Sequence, residues 1–86
     1  MFYVYMIKNL NHDLYIGVTE NPTKRLRAHN SKQGAYFTKN KTAFKIVFLE
    51  THETLIKARQ REIQLKKWNR GKKEMLIERY NLNLPM

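Results

Sequence analysis

Two β-prone runs separated by a short polar stretch occupy the first nineteen residues, and they oblige the chain to build a sheet. Phe2 to Lys8 and Leu14 to Thr19 are rich in aromatic and β-branched residues, and Asn9 to Asp13 supplies turn chemistry between them. They read as an antiparallel hairpin. Phe44 to Glu50 reads as a third strand. Asn21 followed by Pro22 is a helix start, with a side-chain cap and a proline at the first helical position, and this helix runs to about Lys32, before Gly34. Gly34 to Thr42 lacks apolar periodicity and reads as a surface loop. Thr51 can cap a longer helix over Leu55 to Asn69, Gly71 interrupts the chain, and Lys72 to Tyr80 forms a short last helix before Asn81 and a coil tail. The order β-β-α-β-α-α predicts an α/β (α+β) fold. A small three-stranded, mainly antiparallel sheet is flanked by helices, because the apolar strands have no other partner of sufficient area.

The 86 residues suffice for one domain over 1–86, with its core in about 2–82 and a short C-terminal tail. Seventeen Lys and Arg against seven Asp and Glu leave a net charge of +10, which attracts polyanions, nucleic acid first among them. The absence of cysteine excludes a disulfide framework and cysteine-ligated zinc. Neither a signal-peptide hydrophobic region nor a membrane span is visible, so a soluble cytoplasmic protein is expected. Peripheral membrane binding would need an apolar helix face turned to lipid, and the apolar arc of the long helix is wanted for the core.

That arc contains an anomaly. Wound at about 100° per residue, Leu55, Ile56, Ala58, Ile63 and Leu65 share one side of the helix, with Glu62 near its centre. Burying an ionised carboxylate costs several kcal/mol or more unless a cation, a metal or a hydrogen-bonding network compensates. An ion pair with Arg59 or Lys66, three and four positions away, is the structural explanation, and a functional role is the alternative.

Other candidates are ordinary when taken singly. Tyr5 and Tyr15 lie on the two strands of the hairpin, where cross-strand side chains of one face come into contact range, and each alone reads as packing. Arg25 and His29 are four apart on the first helix and share a face, with Leu26 as its apolar anchor, so the pair belongs near the sheet's edge. Taken together they are more specific. Tyr3-Val4-Tyr5 and Tyr15-Ile16-Gly17, with Arg25, His29 and then Glu62 on the helix after the third strand, resemble the GIY-YIG nuclease family. Asn81, following Leu76-Ile77-Glu78, matches the family's asparagine near the C-terminal end. The run from Ala58 through Trp68 resembles the small one-domain bacterial members. The YIG half is intact, whereas Tyr3 and Val4 replace the glycine and isoleucine of the GIY half.

The resemblance implies a divalent-metal-dependent endonuclease that hydrolyses DNA phosphodiesters, structure-specific and serving repair or processing. The alternative is a nucleic-acid-binding module of the same fold without useful turnover. A single carboxylate, Glu62, suits one Mg²⁺ or Mn²⁺ that keeps several waters, and argues against a two-metal site. Arg25 can grip phosphate oxygens with two prongs and cannot lose its charge. The resemblance assigns the general base to Tyr5, and an ordinary tyrosine titrates near pH ~10, so a cation or an ordered network must assist it. Tyr15 and His29 orient water and phosphate or relay protons, and Asn81 supports the site. Lys24, Arg27, Lys32, Lys39 and Lys41 can track a nucleic-acid backbone, and Lys66, Lys67, Arg70, Lys72 and Lys73 form a second basic cluster. No base-reading element is visible, so recognition by shape or backbone is expected, with targeting left to a separate protein partner if one is needed. Trp68 and Tyr36 can stack on bases, but core or capping positions suit them better.

Overall fold

The computed structural model describes residues 1–32 and 43–83, with the backbone alone of Lys32. The loop expected over Gly34 to Thr42 therefore lies outside the described residues. Strands β1 (Phe2–Lys8) and β2 (Leu14–Thr19) are followed by helix α1 (Pro22–Lys32), strand β3 (Lys45–His52) and helices α2 (Leu55–Lys67) and α3 (Arg70–Asn81). The sheet is antiparallel throughout, in the order β2-β1-β3, so the strand earliest in sequence lies at its centre.

The hairpin turn is built by Asn9. Its side chain accepts from the Asp13 backbone N–H at 2.9 Å and donates to the Asp13 carboxylate at 3.0 Å. These bonds satisfy an amide that is buried. His12 takes the left-handed φ of 67° that the turn requires. Between β1 and β3 the register shifts at Met6/Ile7, where Phe48 faces Met6 and Ile46 faces Ile7, leaving Val47 as the extra residue of a bulge. The shift lets Val47 and Phe48 both pack toward the two later helices while Ile46 faces the other way.

Each face of the sheet carries its own apolar cluster. Val4, Met6 and Phe48 pack with Ala58 and Leu65 of α2 and Leu76 and Ile77 of α3. On the opposite face, Tyr5, Ile7 and Phe44 pack with Leu26 of α1 and with Ile46 and Leu49. The first cluster is the larger and holds the most deeply buried side chains; truncating Leu65 there to Ala is a change of the kind that costs about 2–5 kcal/mol. Arg61 adds a polar tie by donating to Glu50 at 3.0 Å, which joins α2 to β3.

The later elements differ from the sequence reading, β3 starting at Lys45 and α2 ending at Lys67. β3 extends to His52 because Phe2 pairs with that residue, so Thr51 is a strand residue, and the cap of α2 is Thr54, whose hydroxyl accepts from the Lys57 N–H at 3.2 Å. The buried stripe of α2 is only Ala58, Glu62 and Leu65; Leu55, Ile56 and Ile63 are exposed, since a helix lying on so small a sheet buries one narrow strip. The last helix begins at Arg70, because Asn69 caps it by accepting from the Lys72 N–H at 2.9 Å. Gly71 therefore sits in its first turn rather than ahead of it.

Candidate active site

β1 and α1 bring together the first pair of predicted residues. The Asn21 side chain caps α1 by accepting from the Lys24 N–H at 3.0 Å, and one turn into the helix Arg25 Nε donates to the Tyr5 hydroxyl at 3.3 Å. Tyr5 is buried on the α1 face, and its partner across the ladder is Gly17. The phenol occupies the space a side chain there would fill: a Cβ on Gly17 would stand 2.5 Å from the Tyr5 hydroxyl oxygen. The glycine of the YIG motif is thus the seat of the tyrosine on the neighbouring strand. Arg25 is held as a cation, its pKa raised above an already high value by the hydrogen bond to Tyr5 and then by Coulombic interaction with it, against a small opposing effect of burial.

The second group is aromatic. Tyr15 faces Ile7 in the ladder and so lies diagonally from Tyr5 rather than directly across. Its ring meets His29 at 5.2 Å and Phe44 at 5.4 Å between centroids. His29 and Phe44 complete the triangle at 4.6 Å, edge to face at 89°. Phe44 is held just ahead of β3 by Asn30, whose side-chain oxygen accepts from the Phe44 N–H at 2.8 Å and whose amide donates to the Phe44 carbonyl at 3.1 Å. Sequence reasoning found the tyrosine and the histidine but neither Phe44 as their common neighbour nor Asn30. A side-chain amide bonded to a distant backbone leaves no periodic trace.

Glu62 and Asn81 come from α2 and α3 rather than from the hairpin or α1. Glu62 is 6% exposed on the helix that covers the opposite face, and its carboxylate pairs with both cations anticipated for it, Arg59 Nη1 and Lys66 Nζ, each at 3.3 Å. Both cations are themselves more than half exposed. Asn81 is the exposed last residue of α3. A hydrated divalent ion requires hard oxygen donors and tolerates a single protein carboxylate. Glu62 meets that requirement, a buried carboxylate paired with two exposed cations. Among the described residues no three of His, Cys, Asp and Glu gather as a ligand set, so any ion here would have to take its remaining ligands from water or phosphate.

Lys24, Arg27 and Lys67 are exposed. Arg70 is committed to structure, donating to Glu74 at 2.8 Å and to the His12 carbonyl at 2.7 Å. Trp68 is half-buried against the larger cluster with Arg61 and Lys72 over its ring, in keeping with a packing role. Lys39, Lys41 and Tyr36 lie outside the described residues. Among the described residues, no helix is long and apolar enough to cross a membrane.

The chain is similar to a UPF0213 protein of Clostridium perfringens, 40% identical over 77 residues that cover 90% of this chain and 83% of that one. It is likewise similar to a UPF0213 protein of Syntrophus aciditrophicus, 43% identical over 77 residues covering 88% of each. The solution NMR structure of a UPF0213 protein from Bacillus halodurans superposes with a TM-score of 0.57 at 29% identity, covering 91% of this chain and 84% of that one. Residues 1–75 match the GIY-YIG catalytic domain, and with Tyr5, Tyr15, Gly17 and Arg25 disposed as described, the chain belongs to the GIY-YIG family.

Proposed function

We propose that this protein is a divalent-metal-dependent endonuclease acting on DNA phosphodiesters. The observation that carries the reading is the Tyr5 hydroxyl held 3.3 Å from the Arg25 guanidinium on the more thinly covered face of the sheet. A phenolate at Tyr5 would keep this contact as a charge-assisted hydrogen bond, which suits a group that accepts a proton from water. Arg25 spends its Nε on Tyr5, so its terminal amino groups remain for phosphate oxygens as negative charge develops in the transition state. Tyr15 and His29, packed together beside this pair, orient the water or the leaving oxygen. Glu62 would hold one Mg²⁺ or Mn²⁺, which when bound would supply Lewis-acid polarisation of the phosphate. Exposed Lys24, Arg27 and Lys67 contact the nucleic-acid backbone, which carries little sequence information.

The test is incubation of the pure protein with a panel of labelled duplex, branched and single-stranded nucleic acids, in Mg²⁺, Mn²⁺ or chelator. Cleavage that needs metal and is lost in Glu62→Gln, with binding retained, is expected. Absence of cleavage across the panel would sink the reading. A second reading, a binding module without turnover, is favoured by one fact: both predicted cations occupy the Glu62 carboxylate. In that case calorimetry finds identical metal binding in wild type and Glu62→Gln.

A further inference from the structure

We infer that Asn30 is a positioning residue of the site, acting through Phe44 on His29 and Tyr15. The inference rests on the nuclease reading for its effect on rate, and on geometry alone for the positioning itself. Phe44 lies outside the sheet ladder, one residue before β3, where its backbone pairs with no strand among the described residues. The Asn30 side chain takes the place of that neighbour, presenting an acceptor at 2.8 Å to the N–H and a donor at 3.1 Å to the carbonyl of one residue. Two bonds from a planar amide fix orientation as well as distance. They join α1 to the start of β3 and hold the Phe44 ring at 4% exposure.

The ring's placement matters because it is shared. His29 stands edge to face with it at 4.6 Å, and Tyr15 meets it at 68° and 5.4 Å. One aromatic wall thus sets the orientation of two polar side chains from different elements, α1 and β2. His29 immediately precedes Asn30 on the helix, so one turn of α1 carries both a candidate proton-relay group and the tether of the wall behind it. Positioning of this kind is worth as much as direct contact when reacting groups must meet within a fraction of an ångström.

The experiment compares wild type with Asn30→Ala, Asn30→Asp and Phe44→Leu by NMR, melting temperature and steady-state cleavage. Asn30→Ala is expected to move the ring-proton shifts of His29 and Tyr15, which the Phe44 ring current sets, and to lower kcat by ~10- to ~100-fold with KM nearly unchanged. Asn30→Asp, which keeps the acceptor for the Phe44 N–H and loses the donor, should fall between the two. The double variant Asn30→Ala/Phe44→Leu should be no slower than Phe44→Leu alone, because both act through one ring. Ring shifts that stay at wild-type values in both Asn30 variants overturn the positioning. So does a lower melting temperature with kcat per folded molecule unchanged. A wild type that cleaves nothing removes the nuclease reading instead, and the ring shifts then decide the positioning by themselves.

Discussion

Gly17→Ala tests the packing logic of the site most directly. Gly17 does not adopt a left-handed φ, so alanine fits the strand backbone and the whole cost is steric. The new Cβ would stand 2.5 Å from the Tyr5 hydroxyl oxygen and 2.7 and 2.8 Å from Cζ and Cε2. Non-bonded carbons settle at about 3.5–4.0 Å, so the ring must retreat by roughly 1 Å. At 7% exposure, and with Ile7 and Phe44 in the same cluster, Tyr5 has little space to do so. Overpacking of this kind costs about 1–3 kcal/mol. In a domain of this size, 1 kcal/mol shifts the melting temperature by about 4–8 °C, so thermal unfolding followed by circular dichroism should show a drop of roughly 4–24 °C. In a Tyr5→Ala background the obstacle has gone, and the same substitution should cost less than ~0.5 kcal/mol. Tyr5→Phe should not relieve it, since the two ring carbons remain. Equal penalties with and without the Tyr5 ring would refute the account.

Three further outcomes are expected. Tyr5→Phe and Arg25→Ala should each slow cleavage by roughly two orders of magnitude where chemistry limits the rate, with the double variant far from multiplicative; full activity in Tyr5→Phe would make Tyr5 a packing residue. Glu74 has its carboxyl pKa lowered, chiefly by the hydrogen bond from Lys8 and further by Arg70, against desolvation. Its contribution to stability is thus present above the ordinary carboxylate range near pH ~4.3 and lost as pH falls through the lowered value. Urea titrations of Glu74→Gln should show a shallower acid decline, by no more than ~1 kcal/mol for so exposed a pair, and an unchanged decline would count against the tie. Binding to duplex DNA should weaken steeply with salt, with a log-log slope of several units, and a flat response would contradict backbone contact.

Local chemistry in this chain is written plainly where one segment decides it. The hairpin and α1 follow from β-prone runs, turn residues and the Asn-Pro start, and the structure gives both strands and the helix their expected bounds. Tyr5 and Arg25 could be paired only through the family resemblance and the need of a tyrosine base for a nearby cation; periodicity by itself joined Arg25 to His29. What was not legible depends on partners distant in sequence. Thr51 resembles a cap until Phe2 claims His52 for the sheet. Ile56 and Ile63 resemble core until the width of the sheet limits how much of α2 it can cover. The seat that Gly17 provides for Tyr5, and the Asn30 tether, are relations between elements that no window of sequence contains.

The central position of β1 also fixes when the molecule can become whole. During synthesis this strand is made before either of its neighbours, and β2 follows at once. A hairpin by itself is marginal in water. Phe2 must wait for His52, and the apolar surface of Val4 and Met6 stays uncovered until Ala58, Leu65, Leu76 and Ile77 have been made. No early fragment therefore owns a closed core. Folding must come late and nearly all at once. Substitutions in α3, which carries no catalytic candidate but Asn81, should then reduce the yield of folded protein more than the activity of the molecules that fold.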